Sequence, residues 1–139
     1  PGLDGRKMSK SFGNAITLSM TPDETARVVR RTATDSERHI SYDPDTRPGV
    51  SALLTIAALC TGRSPESIAA DVGAAGSGAL KTLVTEAANS FLAGHRRRRA
   101  ELALDPGYVR SVVRRGNERA NEIAEQTLDE VRRVMGTHY

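Results

Sequence analysis

The sequence of 139 residues contains no tryptophan, and three tyrosines and two phenylalanines are its only aromatic residues. A hydrophobic core must therefore be built from alanine, leucine, valine and isoleucine. With Cys60 as the single cysteine, an internal disulfide is excluded and nothing indicates secretion. Cys60 lies in an apolar stretch, which favours a buried and inert thiol. The alternative is a nucleophile, which would need a base that the sequence does not place nearby.

Long apolar runs are also absent, and none approaches the roughly 20 residues that a membrane-spanning helix requires. The first residues lack the continuous apolar core of a signal peptide, so we expect a cytoplasmic protein without a membrane partner. His39, His95 and His138 are isolated from one another, so no metal site is predicted. The net charge of +3 permits a polyanionic partner without requiring one.

The pattern along the chain predicts an all-α fold of about six helices that follows an extended head. Residues 16–20 alternate between apolar and hydroxyl side chains, which predicts a brief extended segment. Thr21 and Glu24 form a capping box around a proline, so a first helix is expected from there to about Ala33. Residues 34–48 are predicted to form a loop.

Glycine and proline mark the remaining helix boundaries. A second helix is expected from the proline and glycine at 48–49 to Gly62, a third over residues 64–73, and a turn over residues 73–78. Gly116 is predicted to divide the last helical stretch into two helices. Apolar side chains recur at helical spacing in three segments: Val50, Leu53, Leu54 and Ala57; Leu80, Leu83, Val84, Ala87, Ala88, Phe91 and Leu92; and Ala120, Ile123, Ala124, Thr127, Leu128, Val131 and Met135.

The segment Lys7-Met8-Ser9-Lys10-Ser11 carries the clearest chemical pattern. Two ammonium groups and two hydroxyls near glycine are suited to wrapping a polyphosphate, because lysines supply mobile charge and hydroxyls supply short donors. The alternative is a solvated basic loop without a ligand. The same five residues match the KMSKS signature of class I aminoacyl-tRNA synthetases.

The order of segments along the chain resembles the tryptophanyl-tRNA synthetase family more than its tyrosine relative, and the likeness covers nearly the whole chain. The family's His-x-Gly-His signature and its Rossmann domain are missing from the sequence. The segments that carry the resemblance are Gly2 to Ser11, Thr34-Asp35-Ser36, Tyr42-Asp43, Arg47 to Leu54, Gly78 to Lys81, and Val134-Met135-Gly136.

The resemblance implies a C-terminal portion of such an enzyme: residues 1–20 as the KMSKS loop of a catalytic domain, and residues 21–139 as a helical anticodon-binding region. It implies ATP binding by Lys7, Met8, Ser9, Lys10 and Ser11, with Lys7 and Lys10 catalytic. Mg²⁺ would accompany ATP. Tryptophan, tRNA(Trp) and the missing Rossmann portion would be partners in a homodimeric enzyme, and the chain alone would be inactive. The alternative is a stand-alone helical tRNA-binding or regulatory module.

Arginines cluster in the second half of the sequence, at residues 96–99 and again from residue 110. Four consecutive helical residues spread over about 300 degrees, so they cannot form one patch. A solvated, partly ion-paired helix surface is the favoured interpretation, and tRNA phosphate contact is the second. The candidate tRNA contacts are Lys81, Arg96, Arg97, Arg110 and Arg114.

Overall fold

The computed structural model describes residues 2–3 and 7–137, and within these residues it contains helices and no strands. The chain forms two compact units, residues 1–96 and residues 97–139. A single 3-10 turn, Gly73–Ala75, precedes the fourth α-helix. The α-helices are α1 (Pro22–Arg31), α2 (Pro48–Thr61), α3 (Pro65–Val72), α4 (Gly76–Ala103) and α5 (Pro106–Val134).

Side-chain caps begin α1, as predicted, and also α3 and α5. The Thr21 hydroxyl accepts a hydrogen bond from the Glu24 N–H at 3.2 Å, and the Glu24 carboxylate accepts one from the Thr21 N–H at 2.7 Å. The bond from the Thr21 backbone is the main reason why the pKa of Glu24 lies below its ordinary value. The Ser64 hydroxyl caps α3 in the same manner, by accepting from the Ser67 N–H. Gly62 ends α2 in the left-handed conformation, at a φ of 73°.

The core of the first unit is aliphatic, and it combines α2 and α3 with one face of α4 and single residues from the other segments. All four predicted core residues of α2 are fully buried. On α4, the inward positions are four residues apart, whereas Phe91 is 63% exposed and lies outside the core that we expected it to join. The buried hydrophobic cluster comprises Leu3, Val29, Ile40, Val50, Leu53, Leu54, Ala57, Ile68, Ala69, Val72, Leu80 and Val84.

The prediction of six helices is wrong, because α5 continues through Gly116 without a break. A glycine inside a helix costs up to about 1 kcal/mol relative to alanine, but it keeps its N–H and carbonyl, so the hydrogen-bond pattern is not interrupted. Residues 76–78 also belong to α4 rather than to the predicted turn. The predicted extended segment is a turn instead, in which the Met20 N–H donates to the Thr17 carbonyl at 3.1 Å.

The second unit consists of the end of α4 and the whole of α5, and none of the residues of α5 is buried. Ile123, Leu128 and Val131 are 39% to 51% exposed, so the predicted apolar face of this helix is open along its length. Among the described residues, no helix combines the length and apolarity that crossing a membrane would need.

Candidate phosphate-binding loop

The segment from Lys7 to Gly13 forms a closed turn on the surface of the first unit. The Phe12 N–H donates to the Ser9 carbonyl, and the Gly13 N–H donates to the Lys10 carbonyl, each at 3.3 Å. Gly13 has a φ of 62°, a left-handed conformation that glycine adopts without steric cost. The turn leaves both lysines exposed. The two ammonium groups are therefore available to an anion in solution.

The hydroxyls of the turn lie together. Ser9 Oγ and Ser11 Oγ are 2.8 Å apart, within hydrogen-bond distance. Ser11 is exposed and Ser9 is half-buried. Met8 is 47% exposed, so it does not lie in the core. Residues 7–11 thus present two cations and a pair of hydroxyls on one turn, which is a chemically suitable surface for a polyphosphate.

The Asn14 side chain is hydrogen-bonded to the backbone of this turn. The side chain is buried, its Oδ1 accepts from the Ser9 N–H at 2.8 Å, and its Nδ2 donates to the Lys7 carbonyl at 3.2 Å. The Asn14 carbonyl accepts from the Leu3 N–H at 2.8 Å. One residue therefore joins the backbone of Leu3, Lys7 and Ser9.

Apolar side chains fix both ends of the segment to the helical core. Leu3 is 4% exposed and belongs to the same buried cluster as Val29, and Ile16 packs against that cluster. The helices of the first unit therefore support the segment, so the turn does not depend on its own hydrogen bonds alone.

A groove of about 390 Å³ lies directly beside the turn. Its wall on the other side comes from the end of α1, where Arg31 adds a third exposed cation. The lining residues are Leu3, Phe12, Gly13, Asn14, Val28, Arg31, Thr32 and Ala33. No group of three or more metal-ligating side chains occurs in the part of the chain that the structure describes.

Arg47 organises the loop between α1 and α2, which carries several segments of the sequence resemblance. Its guanidinium is 6% exposed and binds the Asp35 carboxylate through two hydrogen bonds of 2.7 and 2.9 Å. It also donates to the carbonyls of Glu37 and His39 and to the Ser41 hydroxyl. The Arg47 guanidinium holds the pKa of Asp35 below its ordinary value. This ion pair, between the buried Arg47 and the more exposed Asp35, gives the loop a defined conformation without any regular secondary structure.

The candidate tRNA contacts have different surroundings. Arg97, Arg110 and Arg114 are exposed, as contact with a polyanion would require. The Lys81 ammonium donates to the Arg30 carbonyl at 3.2 Å, in the last turn of α1. There a cation also complements the negative end of the helix dipole.

Arg96, the last residue of the first unit, forms hydrogen bonds within that unit. Its guanidinium donates to Asn89 Oδ1 and to the buried Thr25 hydroxyl, each at 2.8 Å, and so joins α4 to α1. Its Nε is buried and has no hydrogen-bond partner among the described residues. The tRNA contact of Arg96 stays a prediction, and it would compete with these intramolecular bonds.

The sequence patterns did not identify two residues that organise this region, Asn14 and Arg47. Asn14 follows the turn as an ordinary polar residue, and only its burial identifies it. Arg47 stood within a segment of family resemblance, but nothing in its spacing indicated a buried cation. A polar residue directly after a glycine in a phosphate-binding turn is a signal that could have identified Asn14.

Comparison with known protein families gives a match to the family model for class I tRNA synthetases (W and Y), over residues 1–93. Among curated proteins, tryptophan–tRNA ligase 1 of Streptomyces coelicolor is 42% identical over 133 residues, 94% of this chain and 39% of that protein. The tryptophan–tRNA ligase of Nostoc is 37% identical, over 94% of this chain and 40% of that protein. The chain therefore spans about 40% of the length of these curated relatives.

Solved structures show the same fold. The crystal structure of tryptophanyl-tRNA synthetase from Campylobacter jejuni, complexed with ADP and tryptophan, superposes with a TM-score of 0.76. The superposition covers 97% of this chain and 42% of that chain, at 23% identity. The enzyme from Mycoplasma pneumoniae superposes with a TM-score of 0.59, over 69% of this chain and 31% of that one, at 26% identity.

Proposed function

Since the chain belongs to the class I tRNA synthetases (W and Y), we propose that it is the KMSKS loop and helical region of a tryptophan–tRNA ligase. The tryptophan assignment is supported by the curated relatives, which are named tryptophan–tRNA ligases. The single observation that carries the proposed role of the loop is its geometry. Two exposed lysines and a pair of hydroxyls lie on one turn that is anchored to a hydrophobic core.

The proposed reaction is the ATP-dependent activation of tryptophan, followed by transfer of the amino acid to tRNA(Trp). In the first step the tryptophan carboxylate attacks the α-phosphorus of ATP. A bond forms between the carboxylate oxygen and this phosphorus, and the bond from phosphorus to the bridging oxygen breaks. Pyrophosphate leaves with the electron pair of that bond, so negative charge accumulates on it in the transition state.

Lys7 and Lys10 would stabilise that charge. A pair of unit charges 4 Å apart interacts by about 4 kcal/mol at an effective dielectric constant of 20, before the cost of desolvation is subtracted. Ser9 and Ser11 would donate hydrogen bonds to phosphate oxygens, and Met8 would contribute apolar contact at the edge of the site. Mg²⁺ would arrive with ATP as part of the substrate.

The rest of the site would come from a nucleotide-binding portion, which the proposal assigns to the remaining length of the relatives. Tryptophan binding, homodimer formation and the activity as a whole would depend on that portion. Docking of tRNA would use exposed cations of the helices, with Arg97, Arg110 and Arg114 better placed than Arg96, and we propose that the enzyme acts in the cytoplasm.

The proposed role of the loop is tested with Lys10→Ala in an enzyme that contains the nucleotide-binding portion. The rate of tryptophan-dependent pyrophosphate exchange should fall by roughly 100-fold or more, as is common when one electrostatic stabiliser of a transition state is removed. The dissociation constant of tryptophan should change little. Arg133→Ala, which removes an exposed cation from α5, is the matched control and should leave both quantities unchanged.

Two results would contradict the proposal. Equal losses in exchange rate and tryptophan affinity would show that Lys10 supports the fold or the amino-acid pocket rather than the leaving group. Clear pyrophosphate exchange by the 139-residue chain alone would show that it contains a complete site, which the proposed division of the enzyme does not allow.

A further inference from the structure

We infer that Asn14 is a positioning residue for the phosphate-binding turn, and that it acts by fixing the backbone from Lys7 to Ser9. Its effect on catalysis rests on the function proposed above, whereas its effect on the turn does not. The residue lies outside the KMSKS pentapeptide and would not contact ATP. Its role follows from where its side-chain amide is held and from what that amide binds.

The Asn14 amide is bound at both of its ends. Oδ1 accepts from the Ser9 N–H and Nδ2 donates to the Lys7 carbonyl, and these two backbone groups lie on either side of Met8. An amide that uses both its donor and its acceptor in this manner has one orientation, because rotation by 180° would place a donor against a donor. The bonds therefore fix the backbone that separates the two lysines.

The environment of the amide keeps it in that orientation. Asn14 is 5% exposed, and water therefore competes poorly for its hydrogen bonds. Gly2 lies against it so closely that a Cβ at that position would overlap the Asn14 side-chain amide and also lie 3.1 Å from the Asn14 carbonyl oxygen. Gly2 is buried as well. The glycine thus allows the entry to the turn to close over the asparagine.

Holding the turn in advance matters because the lysine side chains themselves are flexible. Ordering the backbone of a free loop costs on the order of 1–2 kcal/mol for each residue, at the moment when the ligand binds. In a turn that is already ordered, that cost is met during folding. Asn14 would therefore contribute to phosphate binding and to rate without touching the substrate.

The first test measures the order of the turn in the 139-residue chain. Trypsin cleaves after exposed lysines, so the cleavage rate after Lys7 and Lys10 reports how often the turn opens. Asn14→Ala removes the side-chain bonds to Ser9 and Lys7 and should raise that rate about 10-fold, since two hydrogen bonds together exceed the free energy of a tenfold change. Asn117→Ala, at an exposed asparagine of α5, is the matched control and should leave the rate unchanged.

A second variant displaces the same amide without removing it. Gly2→Ala keeps Asn14 but places a methyl group where the amide lies, so cleavage at the two lysines should increase as it does in Asn14→Ala. In both variants, cleavage after Arg115 on α5 should stay at the rate of the unchanged chain. Unchanged cleavage at the two lysines in either variant, or an equal increase at Arg115, would overturn the inference.

The third measurement is made in the enzyme that contains the nucleotide-binding portion. Asn14→Ala should lower kcat of pyrophosphate exchange about 10-fold and raise the KM for ATP, while the KM for tryptophan stays the same. A change in the tryptophan KM equal to that for ATP would overturn a role confined to this turn. If Lys10→Ala leaves exchange unaffected, the proposed function fails, and the cleavage results still decide whether Asn14 holds the turn.

Discussion

Replacing Asp35 by alanine tests whether the ion pair with Arg47 determines the stability of the first unit. The substitution removes both hydrogen bonds between the carboxylate and the guanidinium, together with the bond that Asp35 Oδ1 accepts from the Glu37 N–H at 3.0 Å. It leaves Arg47, a cation that is 6% exposed, with the Glu37 carboxylate at 3.5 Å as its remaining counter-ion. The loop between α1 and α2 would lose its central contact.

The expected loss can be estimated from burial and from the remaining partners. Breaking a buried ion pair by removing one partner costs roughly 3–5 kcal/mol. Asp35 is 35% exposed, and Arg47 keeps the Glu37 carboxylate at 3.5 Å, the carbonyls of Glu37 and His39 and the Ser41 hydroxyl, so its charge stays paired. We therefore expect a smaller loss, about 2 kcal/mol, between the values for a buried pair and for an exposed one.

The assay is urea unfolding of the 139-residue chain, followed by circular dichroism. Asp71→Ala is the matched control, because Asp71 pairs with Arg63 on the surface, where the two side chains are 58% and 43% exposed. An exposed pair contributes at most about 1 kcal/mol. If Asp35→Ala costs no more free energy of unfolding than Asp71→Ala, then the pair of Asp35 and Arg47 does not organise this loop and the reasoning is wrong.

The same pair predicts a pH dependence of stability. The guanidinium of Arg47 lowers the pKa of Asp35 in the folded chain, so the unfolded chain binds its proton more tightly. The stabilisation by the ion pair is therefore complete above the pKa of aspartate in the unfolded chain, about 3.9. It is lost as the pH falls through the lower pKa of Asp35 in the folded chain. The difference in unfolding free energy between the unchanged chain and Asp35→Asn should be constant from pH 5 to pH 7, and should shrink below about pH 4. A difference that grows on acidification would contradict this.

Two further substitutions and one chemical reaction test the packing of the first unit. Leu54→Ala, at a fully buried position, should lower the free energy of unfolding by about 2–5 kcal/mol. Leu59→Ala, at a position 75% exposed, is the control and should change that free energy by no more than about 0.5 kcal/mol. The midpoints of urea unfolding compare the two variants. Gly49→Ala would push a Cβ into the Ala33 carbonyl oxygen and should cost roughly 1–3 kcal/mol, with equal stability as the contradicting result. Burial raises the pKa of the Cys60 thiol, so alkylation by iodoacetamide at pH 8 should be slower than that of glutathione, and an equal rate would count against an inert thiol.

The helices of this protein followed largely from local chemistry. The Thr21 capping box and the glycine after α2 are decided by a few adjacent residues, so the sequence predicts them without knowledge of the rest of the fold. The prediction of a break at Gly116 was wrong, because glycine weakens a helix without removing its hydrogen bonds. The many other residues of α5 outweigh that cost. Periodicity predicted the face of α2 correctly, but it could not show that Phe91 lies beyond the edge of the core.

The chemistry of the loop was already present in the sequence, since lysines and hydroxyls at this spacing are suited to polyphosphate whatever surrounds them. The sequence did not show how the loop is supported, because the support depends on which groups are buried together. Asn14 and Arg47 are ordinary polar residues along the chain, and each becomes an organising residue only where folding removes water and leaves its partners within hydrogen-bond distance. Burial and long-range contact are properties of the tertiary structure, and they decided how the loop is held.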